Sequence, residues 1–193
     1  KNISINERLV VISNHQFALD FMVLTCALPF SFRHLAKAEE VRGWRAPLAA
    51  CTGHFAVDVE NGKAKYGLGH VAVDTCARVL IHDNLLIFPQ GKIVAENNLI
   101  ANDFRTGAMR TAQLAMEKMA HSSVSILPVA IKYQRDPQQA TSLSRFAARL
   151  GLRSFDGVTN YGAIVTIGKR IRISALPNDV KEATQTLRIE IQV

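Results

Sequence analysis

Near the start of the 193-residue chain lies a short apolar run, Arg8-Leu9-Val10-Val11-Ile12-Ser13. Its four consecutive apolar residues do not alternate with polar ones, which is typical of a strand buried on both faces of a parallel sheet. A second run of this kind covers residues 84–88 and ends at Pro89. Two such strands place the chain among proteins whose central sheet is covered on both sides.

Outward from this run, strands and helices alternate along the chain. The hydrophobic pattern predicts further strands at residues 32–36, 55–57, 125–131 and 163–173, and helices at 17–28, 71–80 and 106–120. The polar residues 134–145 are interpreted as a surface excursion. This alternation predicts an α/β fold with a mostly parallel central sheet flanked by helices. The length and the absence of a linker predict one domain over residues 1–193.

The charge balance indicates the kind of partner. The chain carries 23 Lys and Arg residues against 16 acidic residues, a net charge of +7. Such an excess attracts polyanions. No zinc-finger spacing or RNP-type aromatic motif supports nucleic acid as that polyanion. The charge therefore favours an anionic membrane surface or a phosphate-bearing substrate, and no nucleic-acid partner is expected.

Cysteines and hydrophobic runs constrain the cell compartment. Cys26, Cys51 and Cys76 are widely spaced and odd in number, which predicts buried thiols in a reducing compartment rather than a disulfide framework or zinc site. The sequence contains no metal-ligand spacing such as HExxH, so no metal is expected. No apolar run reaches 18 residues. Because a core strand begins almost at once, an N-terminal membrane-associating segment is expected to be missing.

Two predicted strands end in residues that suit chemistry. His15 follows the first strand, and Asp20 comes five residues later at the start of a helix. The carboxylate can hold one imidazole nitrogen and leave the other free to accept a proton. The alternative is that Asp20 only favours the helix N-terminus while His15 is a loop residue. The other strand end, Phe88-Pro89-Gln90-Gly91-Lys92, combines a glycine that permits close approach with a cation suited to phosphate.

Four ordered motifs connect these strand ends. Asn14, His15 and Asp20 match the pattern N-H-x4-D. Gly53-His54-Phe55-Ala56-Val57-Asp58 partly matches G-x-F-x-x-D-R, Phe88-Pro89-Gln90-Gly91 is close to F-P-E-G, and Ile126-Leu127-Pro128-Val129 corresponds to a run with V-P-V. Over residues 8–135 the chain thereby resembles the lysophospholipid acyltransferases, the group that contains 1-acylglycerol-3-phosphate acyltransferase.

The resemblance implies a glycerolipid acyltransferase-like fold and a reaction. It implies that His15 is a general base oriented by Asp20, which deprotonates an acceptor hydroxyl for direct attack on the thioester of acyl-CoA or acyl carrier protein. These carriers are co-substrates, and no cofactor or metal is expected. The acceptor implied is a lysophospholipid, 1-acylglycerol-3-phosphate above all, at the cytoplasmic face of a membrane. The implied substrate-binding residues are Asn14, Lys37, Gly53, Phe88, Pro89, Gln90, Gly91, Lys92 and Pro128.

Two positions depart from the family pattern. Val59 stands where the second motif has an Arg that helps to hold the phosphate, and Gln90 stands where the third has Glu. Lys cannot reproduce the bidentate phosphate recognition of an Arg, although Lys37 and Lys92 supply cations. Three alternatives therefore stay open: a member that binds acyl lipids with little turnover, an acyltransferase for an acceptor without phosphate, and a hydrolase that uses the same His and Asp on water.

Overall fold

The computed structural model describes residues 7–17, 19–37, 41, 43, 46–57, 68–94, 104–119, 123–136 and 159–191, and the structural statements below concern these residues. The strands are β1 (Glu7–Ser13), β2 (Arg33–Lys37), β3 (His54–Val57), β4 (Leu85–Ile87), β5 (Ser123–Asp136), β6 (Thr159–Ile167) and β7 (Ile171–Arg172). The helices are α1 (Asp20–Ala27), α2 (Ala46–Cys51), α3 (Leu68–His82), α4 (Gly107–Lys118) and α5 (Val180–Ile191), with one 3-10 turn at Ile173–Ala175.

The strands form one sheet in the order β3-β2-β4-β1-β5-β6, and β7 pairs with β5 as well. All pairings from β3 across to β5 are parallel. Only β6 and β7 run antiparallel to β5. The prediction of an α/β fold with a mostly parallel sheet is confirmed. Because parallel strands end at the same edge, the segments that follow β1, β2 and β4 share one side of the sheet.

The side chains of β1 explain why the sheet is covered on both faces. Val10 and Ile12 pack into a core formed with α3, α4 and α5. Val11 points the other way and packs into a second core with Leu24 of α1. Successive residues of a strand alternate between faces, so an unbroken apolar run requires an apolar cover on each side. The helices supply that cover.

The first helix begins later than the hydrophobic pattern predicts. The predicted range was 17–28, whereas α1 starts at Asp20. The preceding residues form a turn in which the backbone N–H groups of Gln16 and Phe17 donate to the Asp20 carboxylate. The spacing of apolar residues carries no information about such local hydrogen bonds. The prediction therefore included residues 17–19 in the helix.

Two expectations around β5 are wrong. Residues 134–136 belong to β5 rather than to a surface excursion, because they pair with the start of β6; residues 137–145 lie outside the described residues. The predicted strand 163–173 is divided into β6 and β7. The division falls where Gly168 donates its backbone N–H to the carbonyl of Pro128, at 2.8 Å. Pro128 thus sits where β5 changes antiparallel partner.

Two helices, α2 and α5, have no counterpart in the predicted pattern. α5 buries Ala183, Leu187 and Ile191, which recur every four residues. Asp179 caps its start, accepting bonds from the backbone N–H groups of Lys181 and Glu182. The segment therefore does carry helix signals, an N-cap carboxylate and a 4-residue apolar spacing, although no element was predicted there.

The cysteines are only partly as expected. Cys76 is buried in α3, whereas Cys26 and Cys51 are exposed. Both residues line a cavity beside α1 that is open to solvent, which explains their exposure. The expectation that all three are buried is wrong for these two. Within the ranges given above, no helix has the length and apolar character needed to cross a bilayer.

Candidate active site

Asn14 fixes the segment that leaves β1 at the carboxyl edge of the sheet. Its side-chain amide donates to the carbonyl of Ile131 at 2.8 Å and accepts from the N–H of the same residue at 2.7 Å. Both polar ends of the Asn14 side chain are thus engaged by the β5 backbone, and the residue is buried. This pairing mimics one more rung of a sheet and holds the next residue, His15, in place.

His15 and Asp20 form a direct pair. The Nδ1 atom of His15 lies 2.9 Å from Oδ2 of Asp20. The carboxylate is fully buried, whereas one fifth of the His15 side chain is exposed. Since an ionised carboxylate only accepts hydrogen bonds, Nδ1 is the protonated nitrogen. In the neutral ring Nε2 then keeps its lone pair, as a general base requires.

Asp20 receives further hydrogen bonds that hold its carboxylate in place. Its Oδ2 atom accepts the backbone N–H groups of Gln16, at 2.6 Å, and Phe17, at 3.0 Å. Its Oδ1 atom accepts the hydroxyl of Tyr133. These hydrogen bonds offset the cost of removing the carboxylate from water. The local sequence thus builds a turn around Asp20 before the helix begins.

The turn after β4 supports His15 from the other side. Gln90 is buried, and its Oε1 atom accepts the backbone N–H of His15 at 2.7 Å. The ring of Phe88 stacks on the imidazole, with centroids 4.2 Å apart. Gly91 has a φ of +64°, which closes the turn with a bond from its N–H to the carbonyl of Phe88. The structure therefore brings together the N-H-x4-D and F-P-x-G segments.

Gln90 makes a contact that the sequence did not indicate. Its carbonyl oxygen binds the backbone of the proposed base, and only 2% of the residue is exposed. A Glu at this position would accept the same bond but would add a buried negative charge. Gln90 thus preserves the position of His15 without that charge.

The remaining predicted site residues are spread over the sheet. Lys37 is the last residue of β2, at the carboxyl edge, and Lys92 is exposed just after Gly91. Pro89 is buried within the turn. Gly53 and Pro128 lie elsewhere: Gly53 precedes β3 at the opposite edge, and Pro128 is buried within β5 beside Ile12. Asp58 and Val59 are outside the described residues.

Tyr133 and Arg105 were not assigned to the site from the sequence. Tyr133 ends a row of apolar residues in β5 and contacts Asp20. Arg105 lies directly against Gly91, where an added Cβ would come within 3.2 Å of its Nε atom. A tyrosine at the end of an apolar strand is a signal that could have indicated Tyr133. The position of Arg105 becomes visible only in the folded structure.

A second histidine, His34, lies close to α1 but in a different environment. Its ring stacks on Phe21, with centroids 4.8 Å apart, and meets the ring of His54 at 3.5 Å. Among the described residues neither ring nitrogen has a hydrogen-bond partner. Burial and, to a smaller extent, the nearby His54 and His15 together lower the pKa of His34 from 6.5 to about 3. His34 is therefore neutral at physiological pH.

A cavity of about 510 Å³ opens beside α1. It extends from Phe21, the residue after Asp20, to Gly53 and the start of β2 at the opposite edge of the sheet. Its wall is mainly apolar; the lining includes Phe21, Met22, Cys26, Phe30, Phe32, Ala50 and Cys51. Cavities of this size and character accommodate small-molecule ligands. In the part of the chain that is described, no cluster of three or more His, Cys, Asp or Glu residues could hold a metal ion.

Comparison with known proteins decides the family. The acyltransferase family model matches residues 1–132, more than half of the chain. The chain belongs to the acyltransferase family. The resemblance carried by the four motifs is thereby confirmed, and all four lie inside the matched region.

The fold of this acyltransferase is similar to a solved one. The structure of the 1-acyl-sn-glycerophosphate (LPA) acyltransferase PlsC from Thermotoga maritima matches 99% of this chain, with a TM-score of 0.58 and 12% sequence identity. The chain spans 66% of the length of that protein. At this identity the likeness concerns the fold. No curated protein sequence matches the chain.

The arrangement in this acyltransferase has a defined chemical capacity. A neutral imidazole with Nδ1 held by a buried carboxylate can accept a proton at Nε2 and return it. The rigid supports on both sides, Asn14 and Gln90, keep that nitrogen in one position. Accurate positioning of a base relative to the reacting atoms is a large part of catalysis in direct transfer reactions.

Proposed function

We propose that this chain is an O-acyltransferase that moves a fatty-acyl group from acyl-CoA or acyl carrier protein to a hydroxyl of a lysophospholipid, with 1-acylglycerol-3-phosphate as the first candidate. The observation that carries the proposal is the His15–Asp20 pair, at 2.9 Å, in a member of the acyltransferase family. The name of the structural relative and the cations Lys37 and Lys92 favour a phosphate-bearing acceptor.

In the proposed reaction the base and the acid are the same residue. Nε2 of His15 takes the proton of the acceptor hydroxyl, and the oxygen attacks the thioester carbonyl carbon. A tetrahedral intermediate forms and collapses, so that the C–O bond is kept and the C–S bond breaks. The leaving thiolate then receives the proton from the imidazolium, which returns His15 to its neutral form. Asp20 stabilises the imidazolium while it exists, because its carboxylate is buried beside the charge.

The cavity beside α1 is proposed to take the apolar part of a substrate. Its mainly apolar wall begins at Phe21, next in sequence to Asp20, so a chain bound there would end near the reacting groups. Burial of each methylene group contributes about 0.8 kcal/mol, which suits a long saturated chain. Because Cys26 and Cys51 are exposed, a thiol reagent that modifies them can be used to block the cavity.

We further propose that the protein acts at the cytoplasmic face of a membrane, because its proposed acceptor is a lipid. The net charge of +7 attracts anionic lipid head groups. Peripheral binding of this kind should weaken as salt rises, because surface charges are screened. Cosedimentation with phosphatidylglycerol vesicles at low and high salt measures it; binding that is independent of salt would contradict an electrostatic attachment.

The decisive experiment follows transfer of a radiolabelled acyl group from acyl-CoA to 1-acylglycerol-3-phosphate. His15→Ala should lower kcat by about two to four orders of magnitude, the usual contribution of a positioned base. His70→Ala is the matched control, because His70 is an exposed histidine in α3. Equal transfer by the wild type and His15→Ala would remove His15 from the mechanism.

Analysis of the products separates the alternatives. Acylated acceptor supports the proposal, whereas free fatty acid without acylated acceptor supports a hydrolase. Binding of the lipid without either product supports a member with little turnover. In that last case Gln90→Glu tests the departure in the third motif: a large gain in rate would identify a decayed enzyme.

A further inference from the structure

Arg105 lies at the rim of the candidate active site. Its side chain covers Gly91: a Cβ built on that glycine would come within 3.2 Å of Nε and 3.3 Å of Cζ. The segment is tied to the same turn by its backbone, since the N–H of Arg105 donates to the carbonyl of Pro89 at 2.8 Å. The guanidinium therefore lies beside the turn that supports His15, in space that the absence of a side chain at Gly91 leaves open.

The charge of Arg105 is available for a ligand. The residue is exposed, and no acidic side chain among the described residues pairs with it. α4 begins two residues later with no acidic residue in its first turn and no side chain capping its first N–H groups. The start of a helix carries a partial positive charge. Arg105 and the start of α4 thus form a positive rim without an internal counter-charge in the described structure.

The rim is close to the proposed base. Gly91 follows Gln90, whose side chain binds the backbone of His15. Arg105 therefore lies against the same turn whose Gln90 side chain binds the backbone of His15. The guanidinium offers a planar fork of N–H donors that matches two oxygens of a phosphate, which the ammonium of a lysine cannot do.

We propose that Arg105 binds the phosphate of the acceptor and makes the enzyme prefer a phosphorylated acceptor, an inference that rests on the proposed acyltransfer. It supplies the arginine that Val59 does not supply in the second motif. Arg105 acts on binding of the acceptor and takes no part in proton transfer.

The test compares two water-soluble acceptors, 1-hexanoylglycerol 3-phosphate and 1-hexanoylglycerol. Arg105→Gln should raise KM for the phosphorylated acceptor about 10- to 100-fold, as expected for loss of a charge-assisted bond, and leave KM for the neutral one unchanged. Arg105→Lys should recover part of the loss. Arg110→Gln is the matched control, because Arg110 is an exposed arginine five residues further along in α4.

A donor arm distinguishes the two sources of phosphate. Acyl-CoA carries phosphates, whereas acyl-pantetheine carries none. If Arg105→Gln raises KM for acyl-CoA and not for acyl-pantetheine, while KM for the acceptor stays the same, Arg105 serves the donor and the proposal is overturned. An equal rise for both acceptors would also overturn it.

A binding arm keeps the inference separate from the proposed function. Calorimetric titration of 1-hexanoylglycerol 3-phosphate into His15→Ala, with and without Arg105→Gln, requires no turnover. If the wild type transfers no acyl group but binding still depends on Arg105, the reaction is wrong and the phosphate site stands. If the wild type transfers the group and binding is unaffected by Arg105→Gln, the inference about Arg105 is wrong. Thermal melts establish that each variant is folded.

Discussion

Two histidines beside the first turn of α1 have opposite surroundings. His15 has a buried carboxylate on one ring nitrogen, a stacked phenyl ring, and one fifth of its side chain open to solvent. His34 has aromatic rings around it, is 3% exposed, and has no hydrogen-bond partner among the described residues. The same side chain is thus prepared for proton transfer in one place and kept neutral in the other.

The difference shows what a base needs besides an imidazole. Exposure to solvent and a buried carboxylate beside the ring are both present at His15. Among the described residues neither is present at His34, where burial and two neighbouring histidines lower the pKa to about 3. Proton affinity is therefore determined by the neighbours that the fold supplies, and each neighbour can be changed separately.

Asp20→Asn is expected to produce the largest effect, because it removes the anion from His15. An amide can present its N–H to Nδ1 and thereby favour the tautomer with the proton on Nε2, which cannot act as a base. We expect kcat to fall by about two to four orders of magnitude. Steady-state kinetics with saturating substrates measure it. A kcat within a factor of two of the wild type would show that His15 does not depend on its carboxylate.

His34→Phe should change the dependence of stability on pH. Between pH 6.5 and about 3 the unfolded chain takes up a proton that folded His34 does not, so stability falls as pH falls. The contribution is about 1.4 kcal/mol per pH unit, or about 2 kcal/mol between pH 6.5 and pH 5. His34→Phe should remove this part of the slope in urea unfolding measured at both pH values, whereas His70→Gln should keep it. Parallel slopes for wild type and His34→Phe would exclude the assigned pKa.

Tyr133→Phe is expected to have the smallest effect. The substitution removes one donor from Oδ1 of Asp20, while the three donors on Oδ2 remain. We expect kcat to fall about 2- to 10-fold, the range of a single ordinary hydrogen bond. A loss as large as that of Asp20→Asn would mean that Tyr133 itself contacts the substrate.

The sequence predicted those parts of the fold that depend on local pattern. The unbroken apolar run of β1 indicated a two-sided cover, and both covers exist. It could not indicate that residues 134–136 continue β5, because their partners are the residues at the start of β6, more than 20 positions away. Strand pairing of that kind is visible only after the chain has folded. α5 is a different case, since its cap at Asp179 and its apolar spacing were there to be used.

The candidate site divides in the same way. The N-H-x4-D spacing led to His15 and Asp20, which the structure brings to 2.9 Å. Nothing in the spacing could indicate that Gln90 binds the backbone of His15, or that Arg105 lies over Gly91. These contacts join segments that are 14 to 75 residues apart, and they depend on how parallel strands end together.

The bonds between Asn14 and Ile131 and between Tyr133 and Asp20 both reach the same portion of β5. This portion lies beyond the end of the pairing of β5 with β1, which stops at Val129. Among the described strands, β6 pairs with that portion, through Val165 and Ala163. The position of the His15–Asp20 pair therefore depends on the antiparallel pairing of β5 with β6 as well as on the parallel core. A substitution that weakens this strand pairing should therefore also displace Tyr133 and the segment that Asn14 binds.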